Sequence, residues 1–214
     1  MDTLNYIYKR FNVKPGIGAI HISGFGRNDL AVVFKELGFT KGVEIGTETG
    51  KYAYVLCKSN PELKLTCVDP YLAYENGEGY KDLTQDKFER IYQTAKERLA
   101  PFDVSIVRAK SAEFVDNFED NSLDFVYIDG NHRLDYVVQD LIKWTDKVKP
   151  GGIVAGHDYI KLAGQYYSHV PYAVQAYTQA YFRDSYFVMD NKDKIRSKEE
   201  NKDYDRIKTW FFVK

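Results

Sequence analysis

With 214 residues, 44% of them hydrophobic, the chain is long enough for one sizeable core and falls in the size range of a single compact unit. A formal net charge of −1, with acids and bases interspersed, provides no global field to gather nucleic acid or an anionic membrane surface. There is no run of about 20 apolar residues to span a membrane, and "MDTLNYIYKRFNVKPG" has no apolar stretch before a small-residue cleavage site, so a soluble, cytoplasmic protein is expected.

Leu4, Ile7, Tyr8 and Phe11 have helical spacing, stopped by Pro15 and Gly16. The stretch "ISGFGRNDLAVVFKELG" supplies two turn glycines, Asn28 or Asp29 as N-cap, and a helix ended by Gly38. Residues 1–40 therefore read as a helical extension packed across one end of the core, a place for a lid or a homodimer contact, and residues 41–214 as the main domain. From Lys41 apolar runs alternate with helical periods: "GVEIG", a helix over 51–58, "LKLTCVDP", a helix over 85–99, "DVSIVRA" and a short helix near Ala112. "LDFVYIDG", a helix over 134–148 and "GGIVAGHDY" follow. Such alternation predicts parallel strands with crossover helices, and strands this apolar are covered on both faces: a doubly wound, Rossmann-like α/β sheet.

The tail differs. A helix over 172–181 leads to "SYFVMD" and then "IKTWFFVK", two strands with no helix between them, which pair antiparallel. The intervening "NKDKIRSKEENKDYD" has balanced charge and no apolar period, the composition of a solvated excursion. Cys57 and Cys67 lie amid apolar neighbours and read as reduced packing residues.

"GVEIGTETGKY" places Glu44, Gly46, Thr47 and Gly50 where a strand turns into its helix, at the sheet edge where ligands bind. The next strand ends in Asp69 of "CVDPY", near the spacing at which an acid accepts hydrogen bonds from a ribose. Glu48 takes the position where a G-x-G-x-x-G fingerprint needs its second glycine, and a carboxylate there repels a pyrophosphate. A cofactor with an amino group and a sulfonium accepts such surroundings, which favours S-adenosylmethionine over nicotinamide or flavin.

The residues "VEIGTETG", "CVDPY", "VRAKSAEF", "LDFVYIDGNHRLDYVVQDLIKWTDKVKPGGIVAGHDY" and "TWFFVK" together are similar to class I S-adenosylmethionine-dependent methyltransferases, in the branch holding many small-molecule O-methyltransferases. The resemblance runs from about residue 41 to 214 and leaves residues 1–40 uncovered. It implies a seven-stranded sheet, mostly parallel with an antiparallel C-terminal strand, and S-adenosyl-L-methionine as cofactor. Glu44, Gly46, Thr47 and Gly50 would border its methionine end, Asp69 its ribose, and Ser111 with Ala112 its adenine, with Asp129 beside it. Tyr52 stands where the branch often has a serine.

"FVYIDGNH" ends a core strand by setting down Asp129 and His132, and the next strand ends in His157 and Asp158. If those strands are neighbours, their ends lie about 5 Å apart, so Asp129, His157 and Asp158 form a candidate metal set for Mg2+ or another divalent cation. A hydroxyl must lose its proton to attack a sulfonium methyl, and a divalent ion lowers its pKa and aligns it. Catechol-type and macrolide-type O-methyltransferases hold magnesium with carboxylates at the corresponding strand ends, which Asp129 and Asp158 match. His157 is open to three roles: ligand, substrate contact or orienter of Asp158. His132 faces the same crevice, and an imidazole of pKa about 6.5 suits proton removal; the alternative is a histidine bonded to the loop backbone.

Asn131 reads as a helix-entry residue, Asp140 and Trp144 as structural, and His21 and His169 as loop residues. Aromatics in "GQYYSHVPY" either wall a ring-shaped substrate or pack on the core. Acceptors other than a hydroxyl, through N-methylation or on nucleic acid or protein, are the alternative. The Asp/Asn-Pro-Pro-aromatic motif of base N-methylation is replaced by "IDGN". A non-catalytic cofactor-binding module is the remaining possibility.

Overall fold

The computed structural model describes residues 2–73, 84–160, 168–181, 183–191 and 207–214. Their elements, in order, are α1 (Thr3–Phe11), β1 (Gly18–Ser23), α2 (Arg27–Glu36), β2 (Lys41–Ile45), α3 (Lys51–Ser59), β3 (Lys64–Val68), α4 (Gln85–Leu99) and β4 (Val104–Val107). Then come α5 (Ser111–Phe114), a 3-10 turn (Val115–Asn117), β5 (Leu123–Ile128), α6 (Leu134–Lys147), β6 (Val148–Gly156), α7 (Val170–Ala180), β7 (Ser185–Asp190) and β8 (Thr209–Val213). All eight strands form one sheet in the order β1-β7-β8-β6-β5-β2-β3-β4.

The expected doubly wound methyltransferase-type sheet is there. β2 to β6 run parallel, and β8 pairs antiparallel with both β6 and β7. One strand is additional: β1 lies parallel against β7 at the sheet's edge, so the N-terminal segment is not all helical and His21 is on a strand. Its pattern hid it, because "GAIHIS" alternates only shallowly: Ile22 alone is buried, and Gly18 and Ala19 give the first half of the strand little apolar contrast.

Period-two alternation distributes the core between the two faces. Phe125 and Tyr127 of β5 pack with Ile7, Leu30, Phe34 and Leu56 on one side; Val126 and Ile128 pack with Leu141, Trp144 and Val174 on the other. Every residue of β5 is buried, as expected for a central strand covered on both faces. Asp124 is the one acid in that strand, and its Oδ2 accepts hydrogen bonds from the Thr40 and Lys41 amides at 2.6 and 2.8 Å, fixing the start of β2 beside β5. No helix among the described residues is long and apolar enough to cross a membrane. The excursion "NKDKIRSKEENKDYD" lies, after its first residue, outside the described residues, as do residues 164–167 of the aromatic loop.

Candidate active site at the strand ends

Because β2, β3, β4, β5 and β6 are parallel, their carboxyl ends share one edge of the sheet. The chain order reverses between β2 and β5, and the crevice outside such a switch point is where ligands bind in open α/β sheets. Gly46, one residue past β2, has φ +82°, and a Cβ there would lie 2.1 Å from the Asp129 carbonyl oxygen. Only glycine lets the β2 loop and the end of β5 approach this closely.

The loop after β2 is held from β3. Asp69 accepts hydrogen bonds from the Glu48 amide and the Tyr71 amide, both at 2.9 Å, and the Tyr71 hydroxyl donates to the Glu48 carbonyl at 2.9 Å. Glu48 and Tyr71 adopt left-handed backbone conformations, φ 49° and 48°, a strain that this network sustains. Burial raises the Asp69 pKa, and the amides of Glu48, Tyr71 and Thr47 counter it. Glu44 lies beneath the loop, 2% exposed, and accepts a weak bond from the Cys67 thiol at 3.7 Å. Burial pushes its pKa up to about 8, the Thr47 contact opposes this, and the Asp129 charge adds to it. Cys67 thus does more than pack.

Ser111 and Ala112 begin α5 at the end of β4. The Ser111 hydroxyl donates to buried Asp140 and the Lys143 ammonium to the Ala112 carbonyl at 2.9 Å, so α6 fixes this corner. Burial raises Asp140 to about 6 against the pull of Ser111 and Lys143. Asp140 therefore orients a residue expected at the cofactor, and Trp144 is fully buried.

β5 and β6 are parallel neighbours with Ile128 opposite Gly156, which brings the following residues together. Donor atoms of Asp129, His132 and Asp158 all lie within 4.8 Å of one another. His132 Nε2 is 3.2 Å from Asp158 Oδ2 and 3.7 Å from Asp129 Oδ1. His157 Nδ1 is 3.2 Å from Asp158 Oδ2 and 3.8 Å from Asp129 Oδ1, while its Nε2 is buried without a hydrogen-bond partner among the described residues. The Trp210 indole donates to the His157 carbonyl at 3.1 Å and anchors its backbone.

Desolvation works against a charge on His132, but Asp129 and Asp158 outweigh it and raise its pKa. Burial likewise disfavours ionised Asp158, yet the contact with His157 and the charges of His132 and His157 bring its pKa down to about 2. Asp158 also has φ 56°, a left-handed conformation in a non-glycine residue at the centre of the cluster. The loop around it is braced, with Ser168 Oγ donating to the Asp158 carbonyl at 2.7 Å.

Asn131, expected as a helix cap, instead closes the turn before α6: its side chain accepts from the Arg133 amide at 3.0 Å, and Arg133 is the N-cap, with no side-chain cap bond. His169, expected as a plain loop residue, accepts the Leu134 amide on Nδ1 at 3.1 Å and donates its own amide to the His132 carbonyl at 2.9 Å. It holds the backbone on both sides of the turn that presents His132. Arg27, from the first turn of α2, was not foreseen: it is 8% exposed and its Nη1 is 3.4 Å from Asp129 Oδ2. Burial opposes its charge, but Tyr127, Asp129 and Tyr52 raise its pKa further. Nothing local in the sequence signals a pair 102 residues apart.

A family model described as a methyltransferase domain matches residues 43–159, more than half of the chain and the strand-end residues from β2 to the end of β6. The chain belongs to this methyltransferase family. A search of curated protein sequences finds no match. Among solved structures, the methyltransferase is similar to a putative caffeoyl-CoA O-methyltransferase from Staphylococcus aureus, with 14% identity, TM-score 0.57, and 88% of this chain and 82% of that one covered. It is also similar to the O-methyltransferase TomG from Streptomyces achromogenes, in complex with SAM, at 13% identity and TM-score 0.56, covering 100% and 90%. The N-methyltransferase NodS from Bradyrhizobium japonicum WM9 aligns at 14% identity and TM-score 0.55, covering 87% and 93%. At these identities the likeness is one of fold, and the methyltransferase's acceptor must be argued from its own residues.

Proposed function

We propose that this methyltransferase moves a methyl group from S-adenosylmethionine to a hydroxyl oxygen of a small molecule, assisted by a divalent cation such as Mg2+. The observation that carries the reading is the convergence of Asp129, His132 and Asp158 at the switch point, directly against the Gly46 loop. The cofactor supplies an electrophilic methyl group on a sulfonium. Glu44, Gly46, Thr47 and Gly50 border its methionine end, Asp69 meets the ribose hydroxyls, and the Ser111–Ala112 corner flanks the adenine.

Two carboxylates with an imidazole form a donor set suited to hard and borderline divalent ions, so Asp129 and Asp158 with His157 fit such a cation, leaving His132 beside them to accept a proton. A cation held there would stabilise the negative charge that develops on the acceptor oxygen. His132, with Nε2 3.2 Å from Asp158 Oδ2 and 3.7 Å from Asp129 Oδ1, is the residue to take the hydroxyl proton, which it does in its neutral form. Asp129 and Asp158 then stabilise the imidazolium that results. The acidic edge formed by Glu48, Asp69, Asp129 and Asp158 repels phosphate-rich acceptors, which supports a small molecule over nucleic acid.

Calorimetry with S-adenosylmethionine and S-adenosylhomocysteine tests the cofactor: absence of binding at millimolar ligand sinks the reading. Mn2+ titration followed by electron paramagnetic resonance tests the cation. Binding that survives unchanged in both Asp129→Ala and Asp158→Ala removes the metal from the proposal.

A further inference from the structure

Arg27 is delivered to the strand-end crevice by a part of the chain that the methyltransferase family match does not include. Its carbonyl accepts the Tyr52 hydroxyl at 2.8 Å, its guanidinium lies 5.0 Å from the Tyr52 ring centre, and Nη1 reaches Asp129 Oδ2. Both α2 and α3 therefore define where the cation sits. The other oxygen of Asp129, Oδ1, faces the imidazoles of His132 and His157. A guanidinium suits this place better than an ammonium, being planar and more weakly hydrated.

We propose that Arg27 is a positioning residue of the methyl-transfer centre: it engages one oxygen of Asp129 and thereby turns the other toward His132 and His157, so that the N-terminal segment completes the site. The proposal rests on the methyltransferase reading above. Arg27 also sets the charge of the crevice. Asp129 and Arg27 act with opposite sign on Glu44 and on Glu48, Asp69 acts on Glu48, and Asp158 stands across from Asp129. Without the guanidinium, Asp129 keeps only the imidazoles on its Oδ1 side, the crevice loses one positive charge, and it favours a cationic ligand over a neutral one of the same shape more than before.

S-adenosylmethionine, with its sulfonium, and S-adenosylhomocysteine, a neutral thioether, are that pair of probes. Full-length Arg27→Gln and Arg27→Lys are compared with the unaltered chain by circular dichroism and calorimetry. Arg27→Gln is expected to raise the preference for the sulfonium by about three- to tenfold, the effect of one partly screened charge; Arg27→Lys keeps the original ratio. A folded Arg27→Gln protein with an unchanged ratio overturns the proposal. Should Arg27→Gln fail to fold, the double variant Arg27→Gln/Asp129→Asn, which removes both charges, is expected to fold; equal failure of the double variant overturns it. If the unaltered chain binds neither probe, the methyltransferase reading falls instead, and the pairing is decided by whether Asp129→Asn raises the melting temperature of Arg27→Gln, a rise supporting it and no rise refuting it.

Discussion

Replacing Gly46 by alanine separates two costs that glycine substitutions usually mix. The residue has φ +82°, so any side chain carries a left-handed backbone penalty of about 1–2 kcal/mol. The added Cβ would also come to 2.1 Å from the Asp129 carbonyl oxygen, 2.5 Å from its carbonyl carbon and 2.7 Å from the Gly130 Cα. These are backbone atoms of a fully buried strand's end, which cannot rotate away, and overpacking of this kind costs a further 1–3 kcal/mol, roughly. The expected loss is therefore about 2–5 kcal/mol, a large share of the roughly 5–15 kcal/mol that holds a domain together. Gly38→Ala is the control: its φ is +71°, but no atom lies within 4 Å of the new Cβ, so only the backbone penalty of about 1–2 kcal/mol applies. Urea unfolding of both variants measures the difference, read as midpoints at constant slope. The displaced Asp129 is expected to weaken S-adenosylhomocysteine binding about tenfold or more in Gly46→Ala, since small misplacements of a site group are costly. Equal midpoints for the two variants, with cofactor-product affinity intact, would refute the close approach of β2 and β5.

Glu44 should make stability depend on pH. Its folded pKa, about 8, is above the ordinary value of 4.5, so its contribution is complete below about pH 4.5 and is lost as pH rises through about 8. Glu44→Gln is expected to flatten the fall in stability over that window, measured by denaturant midpoints at several pH values; an unaltered slope counts against a protonated buried Glu44. Asp124→Ala strands the Thr40 and Lys41 amides and is expected to cost about 2–4 kcal/mol in urea unfolding. Lys149→Ala removes only the half-exposed partner of the same carboxylate and should cost about 1 kcal/mol or less; equal losses would show that the ion pair, not the amides, is what Asp124 serves.

The crevice was legible where chemistry and local pattern coincide. Asp69, Asp129 and His157 each follow an apolar run directly and Asp158 comes one residue later, so strand assignment alone carried them to one edge, and the β5–β6 register, with Ile128 opposite Gly156, brought Asp129 level with His157 and close to Asp158. His132 was legible as a neighbour of Asp129, though not as a member of the three-residue donor set, because the turn that aims it depends on His169, 37 positions on in the sequence. Arg27 and Asp140 were opaque for the same reason: their importance comes from partners on distant elements, Asp129 for the first and Ser111 for the second. β1 was missed because an edge strand with one buried residue alternates too shallowly to stand out from the turn residues around it.

The placement of β8 has a kinetic consequence. It hydrogen-bonds β6 on one side and β7 on the other, and among the described residues β1 pairs only with β7. The last strand in the chain is thus the bridge by which the first strand reaches the rest of the sheet, a connection of very long sequence separation and slow closure. Until β8 inserts, the β1–β7 wing has no edge to pair with. The β1–β7 wing should therefore join among the last events of folding, so that the parallel half of the sheet assembles ahead of it.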